Sequence, residues 1–125
     1  MNLIKSFTYY APVVEGDSVH LTFPIIMYGT EGLIELTVSP QGDGYRIAVD
    51  EGIFDRINEE PSFYFDHYMK KHTAYTKDMK LADSVIYKDY PENCSPVGSL
   101  NEMIRFLISF NAFMVKIVGY ESDFD

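Results

Sequence analysis

"GDGYRIAVDEGIFDRI", residues 42–57, holds the switch on which the reading of the fold turns. Apolar residues alternate across Tyr45–Val49, which is strand periodicity, and Ile53, Phe54 and Ile57 then follow at helical spacing. Three acids, Asp50, Glu51 and Asp55, crowd the junction. Asp is a favoured N-cap, and acids in a first turn suit the helix dipole. A cap therefore accounts for this cluster without acid–base chemistry. The spacing also lacks the further oxygen ligands and distal Glu of an EF-hand loop.

Working upstream, "SPQGDG" (39–44) is rich in residues that tolerate positive φ and reads as a turn. Before it, Leu33–Val38 forms a strand with Leu33, Glu35 and Thr37 opposite Ile34, Leu36 and Val38. "YGTEG" (28–32) is another turn, and Val19, Leu21, Phe23 and Ile25 alternate with His20, Thr22 and Pro24 in a first strand. Pro24 cannot donate to a ladder, so that strand is expected at an edge or bent there. Two short connections in succession imply an antiparallel meander.

Downstream, Pro61 opens a helical stretch, "SFYFDHYMKKHTAYT", and Ser84–Tyr87 suits a fourth strand. Ser99 and Glu102 have capping-box spacing and open a final helix to about Val118. That helix is apolar nearly all round, which predicts central burial or a homodimer through residues 99–118. The whole reads as one α+β domain over residues 1–125. An antiparallel three- to four-stranded sheet packs on two to three helices, in the order β-β-β-α-α-β-α.

The chain's 125 residues, 46% of them hydrophobic, suffice for one core. A single cysteine, Cys94, excludes an internal disulfide framework and a multi-thiolate zinc site. "MNLIKSFTYY" has one Lys and no long apolar run and does not read as a signal peptide, and the most apolar window is broken by Arg105, Asn111 and Lys116. The expectation is a soluble, cytoplasmic protein without a membrane segment. Net charge is −9, and residues 1–60 hold 10 acids against 3 bases. Direct binding to a nucleic-acid backbone needs the opposite sign.

Other candidate chemistry is outweighed by plainer readings. His67 and His72 are five apart, not the four that set two ligands on one helix face. With Asp66 and Asp78 they read as a solvated surface rather than a metal site, and His20 alternates outward on its strand. Cys94 has no local cation to activate it. No phosphate-binding glycine motif is present. In "SFYFDHYMKKH", Phe63, Tyr64 and Tyr68 read as one packing face, not as a platform for bases. No cofactor and no metal are expected.

Across "YRIAVDEG" (45–52) and the short amphipathic helix after it, the chain resembles an uncharacterised bacterial and phage domain family. That family's strand meander ends in a Leu-Thr-Asp-Asp-Gly-like turn. The resemblance runs over residues 14–58 and to the final helix from Ser99. Ala48 and Val49 stand where the family has a hydroxyl residue and its first acid, while Glu51 and Gly52 keep the second acid and the glycine. It implies a mobile-element or prophage origin and no particular activity.

The function expected is non-catalytic: an acidic binding protein directed at a basic partner. An inhibitor or immunity protein for a nuclease or other nucleic-acid-acting enzyme fits, because carboxylates can stand where phosphates would sit. Candidate contacts are Glu31, Glu35, Asp43, Asp55, Glu59 and Glu60, with Tyr28 and Tyr45 as aromatic anchors. The rival reading is a small structural or oligomeric protein whose charge only keeps it soluble. A hydrolase using acids with His67 or His72 ranks last.

Overall fold

Strand periodicity around residues 42–57 is realised in one antiparallel sheet. The computed structural model describes residues 2–24, 27, 33–55, 57, 59–72 and 78–122, the side chains of residues 9, 51 and 118–122 excepted. The strands are β1 (Val13–Glu15), β2 (Ser18–Phe23), β3 (Ile34–Gln41), β4 (Gly44–Val49), β5 (Lys80–Ala82) and β6 (Val85–Tyr90). They lie in the order β1-β2-β3-β4-β6-β5. A short helix α1 (Leu3–Ser6) precedes them, α2 (Pro61–Lys71) leads from β4 towards β5, and α3 (Pro96–Ser122) closes the fold.

The architecture is α+β, but six strands replace the expected three or four. The two missed strands are the edges, and each is three residues long. All of β1 is exposed, so no inward–outward alternation marks it. The hairpin from β5 to β6 turns through Asp83 and Ser84, both at positive φ (49° and 70°). Two positive-φ residues are what a type I′ loop requires, yet without Gly or Asn the loop is silent in the sequence. The β2 strand is also interior rather than an edge. It ends at Phe23, so Pro24 terminates it and never enters the ladder.

Two further boundaries move. Ile53 and Phe54 lie in a 3₁₀ turn, Glu51–Phe54, not an α-helix. The final helix begins at Pro96, where Ser95 Oγ accepts from Gly98 N (3.0 Å) as the N-cap. Ser99 and Glu102 are consequently inside the helix and make no capping box. The "YGTEG" turn, with Tyr28 and Glu31, lies outside the described residues.

One face of the sheet carries Val19, Leu21, Ile34, Leu36, Val38, Tyr45, Ile47, Val49, Ile86 and Tyr90, all buried. Against it α3 lays Leu100, Met103, Phe106, Leu107, Phe110, Phe113 and Met114, a strip at helical spacing. Tyr68 of α2 meets Phe106, Phe110 and Phe113 edge-on at 5.3–5.7 Å, which ties the two helices through aromatic contacts. The outward side of α3 keeps Ile108 and Val115 exposed, beside Arg105 and Lys116. The helix is thus packed along one face, and its all-round apolar look reflects these two residues on the other.

Two backbone positions test this register with opposite signs. A Cβ on Gly44 would lie 2.0 Å from the Tyr90 carbonyl oxygen on the neighbouring strand. Gly44→Ala should therefore destabilise by about 1–3 kcal/mol in urea denaturation. Ser84→Gly removes a left-handed strain and should stabilise by about 0.5–1 kcal/mol. A neutral Gly44→Ala would place β4 and β6 further apart than described.

Candidate interaction surface

At the junction that opened the sequence reading, Asp50 Oδ1 accepts from Gly52 N at 3.0 Å, so the carboxylate caps the 3₁₀ turn. Asp50 N in turn donates to the Glu35 carbonyl at 3.1 Å, which fixes the end of β4 against the start of β3. A Cβ placed on Gly52 would meet Asp50 Oδ1 and Asp55 Oδ2 at 3.5 Å each. The two carboxylates therefore flank the same glycine. Two residues before α2 begins, the chain presents Glu59, whose N–H donates to Tyr64 Oη (3.3 Å), and then Glu60 as the N-cap residue.

Strand pairing brings a distant acid to the same end. Because β4 runs antiparallel to β6, the end of β4 lies beside the β5–β6 loop with Asp83. Two adjoining shallow clefts, sharing Pro61 and Ser84, are lined by Asp55 and Glu59 on one side and by Glu60 and Asp83 on the other. Asp50, Asp55, Glu59, Glu60 and Asp83 are all exposed. Among the described residues none of the five is in an ion pair. They form one acidic rim.

The contacts expected from the sequence divide accordingly. Asp55, Glu59 and Glu60 are brought together on the rim. Asp43 is in the β3–β4 turn at the opposite end of the sheet. Glu35 is on the uncovered face, where its carboxylate reaches His20 Nδ1 (3.1 Å). Tyr45 is no anchor: it is wholly buried on the inner face, its hydroxyl donating to Ser99 Oγ (2.8 Å) and the Cys94 carbonyl (3.2 Å). Tyr28 and Glu31 lie outside the described residues. Asp83 was missed, since only the β4–β6 pairing brings it to the rim.

The uncovered sheet face holds two side-chain clusters. His20 contacts Glu15 Oε2 through Nε2 (3.0 Å), and its Nδ1 is shared between Glu35 and Thr37 Oγ1 (3.0 Å). The grouping of hydroxyl, imidazole and carboxylate has the components of a nucleophile and its base. All three residues stand on a ladder, Thr37 paired with His20 on one side and Ala48 on the other, so their backbone N–H groups are engaged in strand pairing. The evident effect of the grouping is to link β1, β2 and β3. Further along, Arg46 forks onto Asp89 (2.6 and 3.1 Å) and covers the Tyr87 ring at 4.1 Å. The bond to Arg46 lowers the Asp89 pKa.

A third cluster lies inside. Lys88 is nearly buried on the inner face and donates to Glu102 of α3, which also accepts from Tyr90 Oη (3.0 Å). Burial, and then the neighbouring Glu102 carboxylate, hold the Tyr90 phenol well above its ordinary pKa. Burial raises Tyr45 as well. His67 on α2 and His72, its C-cap residue, each contact the carbonyl four residues earlier and pack on Phe63 and Tyr68 respectively. Among the described residues no three His, Cys, Asp or Glu side chains are placed to share a metal ion, and no helix is long and apolar enough to cross a membrane. No family model, curated protein or solved structure matches the chain.

Two stability measurements follow. Asp50→Ala should cost about 0.5–2 kcal/mol through loss of the cap. Unchanged stability would reassign Asp50 to some other role. For the tyrosines the sign is set by raised folded-state pKa values. Stability is complete below the unfolded value of about 10 and falls as pH rises beyond it, since only the unfolded chain has then released its protons. Tyr90→Phe should flatten that alkaline decline in urea titrations between about pH 9 and 11. An equally steep decline in the variant would place the titrating group elsewhere.

Proposed function

We propose that this is a non-catalytic, cytoplasmic binding protein whose acidic rim meets a basic partner, as an inhibitor or immunity protein meets a nucleic-acid-acting enzyme. The observation that carries the reading is the convergence of Asp50, Asp55, Glu59, Glu60 and Asp83, from segments up to 33 positions apart, on one exposed rim. Solubility alone asks only that charges be spread over the surface, whereas like charges held together repel, at a cost that a cationic partner removes. Carboxylates around a shallow concavity can occupy the positions of phosphates on such a partner's surface. The His20 cluster links three strands, a structural role that accounts for it without hydrolysis. A mobile-element origin, as the resemblance at residues 45–52 implies, would put the partner's gene beside this one.

A second reading, pairing of two copies through α3, is favoured by Ile108 (55% exposed) and Val115 (47%), two turns apart on one side of the helix. Light scattering across a dilution series distinguishes it, a constant monomer mass ruling it out.

The rim reading is tested on the association rate with the basic product of an adjacent gene, or with a basic protein recovered at low salt. Reversal of Asp55, Glu59, Glu60 and Asp83 to Lys should slow association by about tenfold or more, and added salt should do the same, because steering is screened over roughly 10 Å at 0.1 M. Reversal of Asp43 and Asp66, away from the rim, should change the rate by less than about threefold. Nucleic acid should compete for the partner. A rate indifferent to salt and to the rim reversals defeats the electrostatic account.

A further inference from the structure

Where the last turn of α2 meets the later half of α3, a cleft of about 390 Å³ is lined by Lys71, His72, Ser109, Ala112, Phe113, Lys116 and Ile117. Among the described residues the lining holds two lysines and no carboxylate, in a chain with 19 acids and 10 Lys and Arg residues. Lys71 is in the last turn of α2, where a cation suits the helix dipole. That does not account for Lys116, which comes from the later half of a different helix and lines the same concavity. Among the described residues neither lysine is ion-paired. Two ammonium groups sharing a concave, partly apolar space repel one another, and an anion between them relieves this.

The remaining lining sets the shape of that anion. Phe113, Ala112 and Ile117 supply an apolar wall. The His72 ring is stacked on Tyr68 (4.4 Å, 10°) and meets Phe113 edge-on at 6.0 Å, which completes an aromatic corner. Ser109 accepts the Tyr68 hydroxyl bond at 2.7 Å and retains its own proton to donate. Apolar walls with a few convergent polar groups, in a volume of this order, are the usual make-up of a small-molecule site. We infer that this cleft binds a small organic anion, a carboxylate or phosphate head carried on one ring or short branched chain. The head lies between Lys71 and Lys116, and the body against Phe113 and Ile117.

Titration of the full-length, ¹⁵N-labelled protein with phenyl phosphate, benzoate, inorganic phosphate and benzylamine tests this by amide shifts. Phenyl phosphate or benzoate should give saturable shifts confined to Lys71, His72 and residues 109–117. Inorganic phosphate should bind at least about fivefold more weakly, and benzylamine not at all. Which of the two aryl anions binds more tightly assigns the head group. Lys71→Gln and Lys116→Gln, both at exposed positions, should each weaken binding about fivefold with unchanged urea midpoints. Phe113→Leu should weaken the aryl anions while leaving inorganic phosphate unaffected. No saturable shift at millimolar aryl anion, equal binding of benzylamine, or indifference to both lysine substitutions overturns the inference. None of these outcomes bears on the acidic rim, which shares no residue with the cleft.

Discussion

The stacked pair Tyr45 and Tyr90 is the constraint from which the rest of the structure follows. They are cross-strand partners on β4 and β6, with ring centroids 5.5 Å apart and planes 18° from parallel. Their hydroxyls reach out of the sheet to the opening turns of α3, Tyr45 to Ser99 and Tyr90 to Glu102. Buried phenols need such partners, because an unmet hydroxyl in an apolar interior costs about 1–3 kcal/mol. The two bonds therefore fix both the rotation of α3 and its position along the sheet. Phe7, edge-on to Tyr45 at 5.8 Å, brings the N-terminal segment into the same arrangement. Gly44 lets the backbones of β4 and β6 approach where a Cβ would collide.

Seating α3 in this way commits the sheet to one covered face. The other face meets water, and much of it is polar and cross-linked between strands, through Glu15, His20 and Glu35 at one side and Arg46 and Asp89 at the other, with Val13 left exposed beside them. Lys88 is the exception on the covered side. A buried ammonium is tolerable only with a counter-charge, which Glu102 supplies, and the Tyr90 ring at 5.1 Å adds a cation–π contact. The ion pair belongs to the same turn of α3 that the tyrosines hold, so its role is to specify seating more than to add stability.

Legibility followed burial. The interior strands β2, β3 and β4 could be read because one face of each is apolar at every second residue, and α3 because its buried strip recurs at helical spacing. Edge strands β1 and β5 could not. They are short and have little inside to mark them, and the β5 hairpin turns on Asp83 and Ser84 in a conformation usually signalled by Gly or Asn. Ser99 misled for a different reason. Its spacing to Glu102 imitates a capping box, but both side chains serve the tyrosine contacts, and Ser95 caps instead. Of the rim, Asp55, Glu59 and Glu60 could be guessed as exposed acids, while Asp83 could join them only through strand pairing. Tyr45, expected as a surface anchor, has the parity of Ile47 and Val49 and is buried with them, so the strand's own alternation already pointed it inward.

Helix α2 separates the two surfaces that carry unbalanced charge. Glu59 and Glu60 precede its first turn, and Lys70 and Lys71 close its last, an order that suits the helix dipole at both ends. With 11 residues, it spans roughly 16 Å at about 1.5 Å per residue. That is about two Debye lengths at physiological ionic strength, where the screening length is about 8 Å. A cation drawn to the rim and an anion drawn to the cleft thus experience fields that are largely independent. One short helix, whose charge order is already favoured by its own dipole, lets a strongly acidic protein keep a basic concavity without neutralising either.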